Sequence, residues 1–134
     1  MLRQLAFATL FAVAAGPAMA AGIFGAIAYS PEFDNISGVA DKASQQQAED
    51  AAIKGCRDET KSNPDSCQSG LWFKSSCGAL ARDPGSPAWG TGWGDTQQIA
   101  TKWALDICRQ YGGKACKLKI AICSPGGAST IPKN

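Results

Sequence analysis

Gly25-Ala26-Ile27-Ala28 returns later in the chain as Gly78-Ala79-Leu80-Ala81. The likeness continues beyond these tetrapeptides. Ser44-Gln45-Gln46 returns as Thr96-Gln97-Gln98, Ala48 and Ala52 return as Ala100 and Ala104, and Cys56 returns as Cys108. Hydroxyl residue and cysteine are twelve positions apart both times. The chain therefore reads as one unit used twice, residues 25–77 and residues 78–123, with three cysteines in each.

Within the first unit, residues 24–29 are apolar and bounded by Gly22 and Pro31, which predicts a strand. Glu32-Phe33-Asp34-Asn35 predicts a turn, and residues 36–40 a second strand. Ser44 is a candidate N-cap with Gln47 three residues on, the spacing of a capping box. Ala48, Ala51, Ala52 and Cys56 then fall on one helical stripe. Its small side chains let a helix lie close to a sheet. Lys54 and Arg57 sit near its end, where the helix dipole favours cations. Asn63-Pro64-Asp65 signals a loop, and residues 71–76 a third strand.

The second unit repeats the order. Residues 78–81 predict a strand, Asp83-Pro84-Gly85 a turn, and residues 88–94 another strand. Thr96 caps a helix with the stripe Ile99, Ala100, Trp103, Ala104, Ile107 and Cys108, stopped by Gly112-Gly113. Cys116, Leu118, Ile120 and Ile122 alternate with Lys117, Lys119 and Ala121, the pattern of a strand with one polar face. Neither unit holds enough apolar side chains for a core alone. Together they predict an α+β domain by internal duplication of a strand–strand–helix–strand unit. Its largely antiparallel sheet carries two packed helices and is stapled by disulfides. Residues 124–134, rich in Pro, Gly and Ser, read as a flexible tail.

The N-terminus reads as a cleaved export signal over residues 1–20. Arg3 supplies its charge, an apolar run follows, and Ala18-Met19-Ala20 is a cleavage site. The run is too short to span a bilayer, and no later stretch is a transmembrane candidate. Periplasmic or secreted location follows, and the six cysteines fit it. Six cysteines allow 15 pairings; a pseudo-two-fold leaves seven, because at least one bridge must then join a cysteine to its own counterpart. Among these, Cys56–Cys67 and Cys108–Cys116 within the units and Cys77–Cys123 between them staple each helix end to the next strand. Zinc has no support: there is no histidine and no C-x-x-C. Thirteen Lys and Arg, one of them the leader's Arg3, stand against eleven Asp and Glu. That balance encodes no general attraction to nucleic acid.

The paired Gly-Ala-x-Ala starts, the Ser/Thr-capped alanine helices ending in cysteine and the Cys-terminated strands resemble the bacterial family known as domain of unknown function 4189. The likeness covers residues 25–123. It implies a small exported protein and carries no catalytic motif. Ile36-Ser37-Gly38-Val39-Ala40 departs from the glycine- and aromatic-rich second strand that Trp89-Gly90-Thr91-Gly92-Trp93 supplies in the other unit.

Chemistry has few footholds. Without histidine there is no Ser-His or Cys-His pair, and bridged cysteines leave no thiolate. No P-loop, GxGxxG or G-x-S-x-G occurs. Glu32 with Asp34, or Asp83 with Asp95, are the available acid–base pairs, although acidic residues in turns ordinarily serve the bend. Lys74 with Ser75 or Ser76 is weaker, since strand neighbours face opposite ways. The best binding candidates are Trp89, Thr91 and Trp93, which share one face of a strand, and Lys117 and Lys119, which could meet an anion. Indoles stack on sugars and anchor protein partners; buried, they fill a core while the glycines admit a neighbour. Trp72 and Trp103 are expected in the core. The sequence thus points to a non-enzymatic, cofactor-free binding module for an envelope or extracellular protein or glycan, of inhibitor, immunity or partner-interaction type. The alternatives are a carboxylate-dependent cell-wall hydrolase and a purely structural envelope protein.

Overall fold

The computed structural model describes residues 22–126 and the backbone of residues 129 and 130. The export signal read over residues 1–20, and residues 131–134 of the tail, lie outside the described residues. The strands are β1 (Phe24–Ser30), β2 (Asn35–Lys42), β3 (Gln68–Lys74), β4 (Ser76–Arg82), β5 (Trp89–Gly94), β6 (Lys117–Ser124) and β7 (Ser129–Thr130). The helices are α1 (Gln45–Glu59) and α2 (Gln97–Gln110), with a short 3-10 turn at Pro64–Ser66. Both predicted caps form: Ser44 Oγ accepts from Gln47 N and Thr96 Oγ1 from Ile99 N, each at 3.2 Å.

The expected antiparallel sheet is divided into two. One has the order β2-β1-β3 and the other β5-β4-β6-β7, every neighbouring pair antiparallel. The duplication is visible in the order itself, since β4, β5, α2 and β6 repeat β1, β2, α1 and β3. It is visible in detail as well. The β1–β3 ladder slips one residue between Ile27 and Ala28, leaving Gly70 unopposed. The β4–β6 ladder slips at the matching place, between Leu80 and Ala81, leaving Lys119 unopposed.

The two sheets stack face to face with a helix outside each, which makes four layers. The Gly-Ala-x-Ala tetrapeptides dictate this. In β1, Ala26 and Ala28 point out to Ala48, Ala52 and Cys56 of α1, while Ile27 and Tyr29 point between the sheets. In β4, Ala79 and Ala81 meet Ala100, Ala104 and Cys108 of α2, while Leu80 joins Ile27 and Tyr29 inside. Methyl groups on the outer face let the helices sit close; larger side chains fill the space between sheets. All of these residues are buried.

All three bridges predicted from the symmetry argument are present. Cys56–Cys67 and Cys108–Cys116 fasten helix ends to the approach of the following strand. Cys77–Cys123, however, does not tie one unit to the other. Cys77 is the second residue of β4, and its register partner on β6 is Cys123, so the bridge lies within one sheet. The unit boundary falls earlier than expected, at Ser75 between β3 and β4. The matching pair in the first sheet is Phe24 and Lys74, where Lys74 Nζ lies 5.5 Å from the Phe24 ring centroid.

Two further expectations change. β6 has no polar face of the kind predicted: the slip at Lys119 turns Leu118 and Ala121 towards α2, while Ile120 and Ile122 enter the inter-sheet layer. The tail begins after Ser124, not at it. Ser124 is buried in β6, its hydroxyl accepts from Asp41 N at 3.0 Å, and the backbone of Ser129 and Thr130 pairs with Ile122 and Ala121.

Candidate functional site

On one flank the stacked edges are stitched together. Asp41 of β2 bonds Ser124 and also accepts from Gly126 N at 2.9 Å, and β7 extends the β5-β4-β6 sheet. The opposite flank, where β3 ends one sheet and β5 ends the other, has no strand beyond it among the described residues. It is here that apolar surface collects.

β5 lies directly under α2. A Cβ placed on Gly90 would stand 2.4 Å from Cys108 N, and one on Gly92 2.4 Å from Ala100 O. The glycines therefore admit the helix, and Trp89, Thr91 and Trp93 must point the other way, towards β3. Trp89 is half-buried, its ring 5.4 Å from that of Tyr29. Trp93 is 64% exposed. The predicted shared face is thus real, but it divides: Trp89 seals the inter-sheet layer and Trp93 projects from it.

Trp72 and Trp103 correct the sequence reading. Both are exposed, at 43% and 51%. Trp72 lies beside Phe24 on the outer face of an edge strand. Trp103 belongs to a second stripe on α2, with Ile99 and Ile107, that runs beside the Ala100–Ala104–Cys108 stripe. Only the small stripe fits the clearance the β5 glycines leave. The three stripe residues overhang the edge, and exposed Tyr111 follows them. The spacing of the glycines by two, matched to the alanines by four, was the signal available in the sequence.

Three open grooves follow this flank. One of about 570 Å³ lies between the β3 and β5 edges, walled by Trp72, Lys74, Ser76 and Trp93. One of about 500 Å³ is bounded by Thr91, Trp93, Ile99 and Trp103. One of about 450 Å³ is bounded by Gly70, Trp89, Thr91, Ile107 and Tyr111. The first and second both include Trp93, the second and third Thr91 and Ile107, and the first and third Gly70, so they form one surface.

The other candidate residues sit elsewhere. Lys119 donates to Asp34 Oδ2 at 3.1 Å, and Arg82 NH1 approaches the same oxygen at 2.6 Å. Tyr29 OH donates to Asp34 Oδ1 at 3.0 Å. The β1–β2 turn of one sheet is thereby fastened to β4 and β6 of the other. Partial burial works against ionisation of Asp34. The hydrogen bonds from Lys119 and Tyr29 and the two positive charges outweigh it, and hold the carboxyl below its ordinary value. Burial first, and then the Asp34 carboxylate, push the Tyr29 phenol up. Lys119 is thus occupied, and exposed Lys117 stands apart from the aromatic flank.

Asp83 is a turn organiser. Its carboxylate accepts from Gly85 N at 2.8 Å, Ser86 Oγ at 3.0 Å, and Lys114 N at 2.9 Å, with Ala115 N at 3.4 Å. Those bonds, led by the Gly85 and Lys114 amides, hold its carboxyl below the ordinary value. Glu32 accepts from Asn63 at 3.2 Å. No group of three or more metal-ligating side chains occurs among the described residues.

A family model described as a domain of unknown function, number 4189, matches residues 24–123. The chain belongs to this family. No curated protein and no solved structure matches it. The match begins at the first residue of β1 and ends at Cys123, so domain 4189 here is the four-layer body with its bridges. In this member all six cysteines are paired, which fits an oxidising compartment. No described helix is long and apolar enough to cross a membrane.

Proposed function

We propose that the protein is an exported, non-enzymatic binding module whose working surface is the aromatic flank along β5 and β3. One observation carries the reading. Of the six exposed large apolar side chains among the described residues, five lie on this flank: Trp72, Trp93, Ile99, Trp103 and Tyr111. Tryptophan and tyrosine dominate binding hot spots, and contiguous exposed apolar patches mark interaction sites. The disulfide body supplies a rigid platform. Residues 1–20 supply the export signal, which is removed before the protein acts in the periplasm or outside the cell.

The hydrolase alternative is less favoured because one acid of each candidate pair has other partners. Asp34 is held by two cations and Asp83 by a ring of donors, both arrangements that keep a carboxyl ionised rather than poised to give a proton.

The test uses tryptophan emission of the exported protein at high dilution. Acrylamide should quench most of it, and Trp93→Phe with Trp103→Phe should remove most of the quenchable part. Indoles that resist quenching remove the surface from consideration. Turnover of peptidoglycan, lost in Asp83→Asn or Glu32→Gln protein that remains folded, overturns the non-enzymatic reading.

A further inference from the structure

The partner of the β5 edge follows from its own pattern. Trp89-Gly90-Thr91-Gly92-Trp93 reads the same in both directions. A strand laid antiparallel on an identical strand, with Thr91 opposite Thr91, meets tryptophan with tryptophan and glycine with glycine. An isologous two-fold about Thr91 sets each residue opposite its mirror position whatever the sequence; the palindrome makes each of these pairs a pair of like residues.

The backbone agrees with the side chains. Asp83 N donates to Ala88 O at 2.9 Å, so that pair belongs to the hydrogen-bonded set of the β4–β5 ladder. The register runs without a slip from there to Cys77 and Gly94, and hydrogen-bonded pairs alternate along an antiparallel ladder. Gly90, Gly92 and Gly94 therefore turn their N–H and C=O groups to β4. Trp89, Thr91 and Trp93 turn theirs outward, where no strand meets them among the described residues. In a two-fold centred on Thr91, those same three residues form the hydrogen-bonded pairs. The outward groups and the palindrome share one centre.

We infer that the aromatic flank docks a second copy of this chain, edge to edge through β5, so that two four-stranded sheets become one sheet of eight. The inference rests on the flank being an interaction surface and names its occupant. β5 carries none of the usual devices against such pairing: no lysine, no proline, no bulge. Each of the other long edge strands carries one. β2 has a register slip near Phe24 and Ala26 with Asp41 at positive φ, and β3 has a slip at Gly70 with Lys74 at its end. Thr91 meets its counterpart at the axis, and each Trp89 stands across from the other copy's Trp93, an aromatic cross-strand pair on either side. On the outer face the two α2 helices run side by side and cover their Trp103 and Ile107 stripes.

The area is sufficient. At about 200 Å² per aromatic side chain, the exposed parts of Trp93, Trp103 and Tyr111 come to about 400 Å². The strand edge with Ile99, Ile107 and Thr91 raises this to about 600 Å² per copy, so two copies reach about 1,200 Å², where specific interfaces begin.

The experiment is sedimentation equilibrium of the exported, disulfide-bonded protein from low to high micromolar concentration. A two-copy mass is expected, with the amide protons of Trp89, Thr91 and Trp93 slowed in exchange. Thr91→Pro removes an outward donor without touching the β4–β5 bonds. It should give the one-copy mass and release the Trp89 and Trp93 amides, while those of Gly90 and Gly92 stay protected as proof of folding. Thr91→Lys and Thr91→Asp should each be one-copy alone and two-copy when mixed, because only a two-fold at this residue brings them together. A one-copy mass for the native protein at every concentration, or a two-copy mass indifferent to Thr91→Pro, overturns the inference. The quenching result then separates the two ideas. Quenchable indoles on a one-copy particle leave the flank to a different protein or a glycan, and shielded ones remove the flank altogether.

Discussion

The two halves of this protein share a fold and differ at one flank. In the second half, β5 presents Trp89, Thr91 and Trp93, and α2 presents Ile99, Trp103 and Ile107. At the matching places in the first half, β2 has Ile36, Gly38 and Ala40, and α1 has Gln47, Ala51 and Gly55. The first set is sufficient to close the fold: Ile36 and Ala40 pack on the inter-sheet layer, and a Cβ on Gly38 would stand 2.6 Å from Ile120. Large aromatic side chains at these positions are therefore no requirement of the unit. What one half does without is what the other has to offer a partner.

The comparison is sharpest at the disulfides. Each half has a short helix-end staple, but only the second has a bridge across its sheet. Chain-entropy loss for the 46-residue separation of Cys77 and Cys123 amounts to about 4 kcal/mol, against about 3 kcal/mol for Cys56–Cys67. Cys77→Ala with Cys123→Ala should accordingly lower the urea unfolding free energy more than Cys56→Ala with Cys67→Ala. Equal losses would mean that the cross-sheet bridge gives the second half no special advantage.

Helix clearance is the next difference. In β5, Gly92 faces α2 at the position where β2 has Val39 facing α1. Gly92→Val drives a branched side chain into the Ala100 carbonyl and should cost about 3 kcal/mol. Val39→Ala, the truncation on the other side, should cost about 1 kcal/mol. Denaturation midpoints of the two variants check the ordering. A mild Gly92→Val would show that α2 can lift from its strand, and would weaken the argument that its larger stripe is forced out to the edge.

The halves are joined by Asp34, whose carboxyl titrates below the ordinary aspartate value of 3.8. Its ionised form therefore adds stability that is complete above that value and is lost as pH falls through the lowered one. Asp83, within the second half, adds an acid-side contribution of the same sign. Asp34→Asn should cost about 1 kcal/mol near neutral pH, a figure kept small because the side chain is partly open to solvent. It should also flatten the fall of stability with acid. An unchanged acid limb would assign that fall to Asp83 and the remaining carboxylates.

Much of this was legible from local pattern. Caps at Ser44 and Thr96, the order of elements along the chain, and the two helix-end bridges follow from residues near one another in sequence or from the repeat; Cys77–Cys123 pairs as expected, but across one sheet, where the first half has Phe24 and Lys74. What was not legible depends on clearances between distant elements. The division into two sheets requires knowing that Ile27, Tyr29 and Leu80 meet each other rather than a helix. The slip at Lys119, which aims at Asp34 a lysine expected to meet a ligand, has no marker in a run of alternating residues. The repeat, which restarts at Gly78, places Cys77 in the first half, although its register belongs to β4. A helical stripe that includes both alanines and Trp103 does not say which of the two faces the sheet; the glycines of β5 decide it.

The smallest expected effect is the most telling one. Trp89→Ala removes a ring packed on Tyr29 and should cost about 3 kcal/mol. Trp93→Ala and Trp103→Ala remove rings that stand largely in solvent, and each should change the stability of an isolated copy by less than about 0.5 kcal/mol. The measurement is urea unfolding at high dilution, where one copy is present, repeated at high concentration. The Trp93 and Trp103 variants should match the native protein in the first condition and fall below it in the second, because a folded state that binds a partner gains stability with partner concentration. Losses at Trp93 or Trp103 as large as at Trp89, and independent of concentration, would make these side chains part of the fold. The second half would then differ from the first in packing alone, with no surface set aside for a partner.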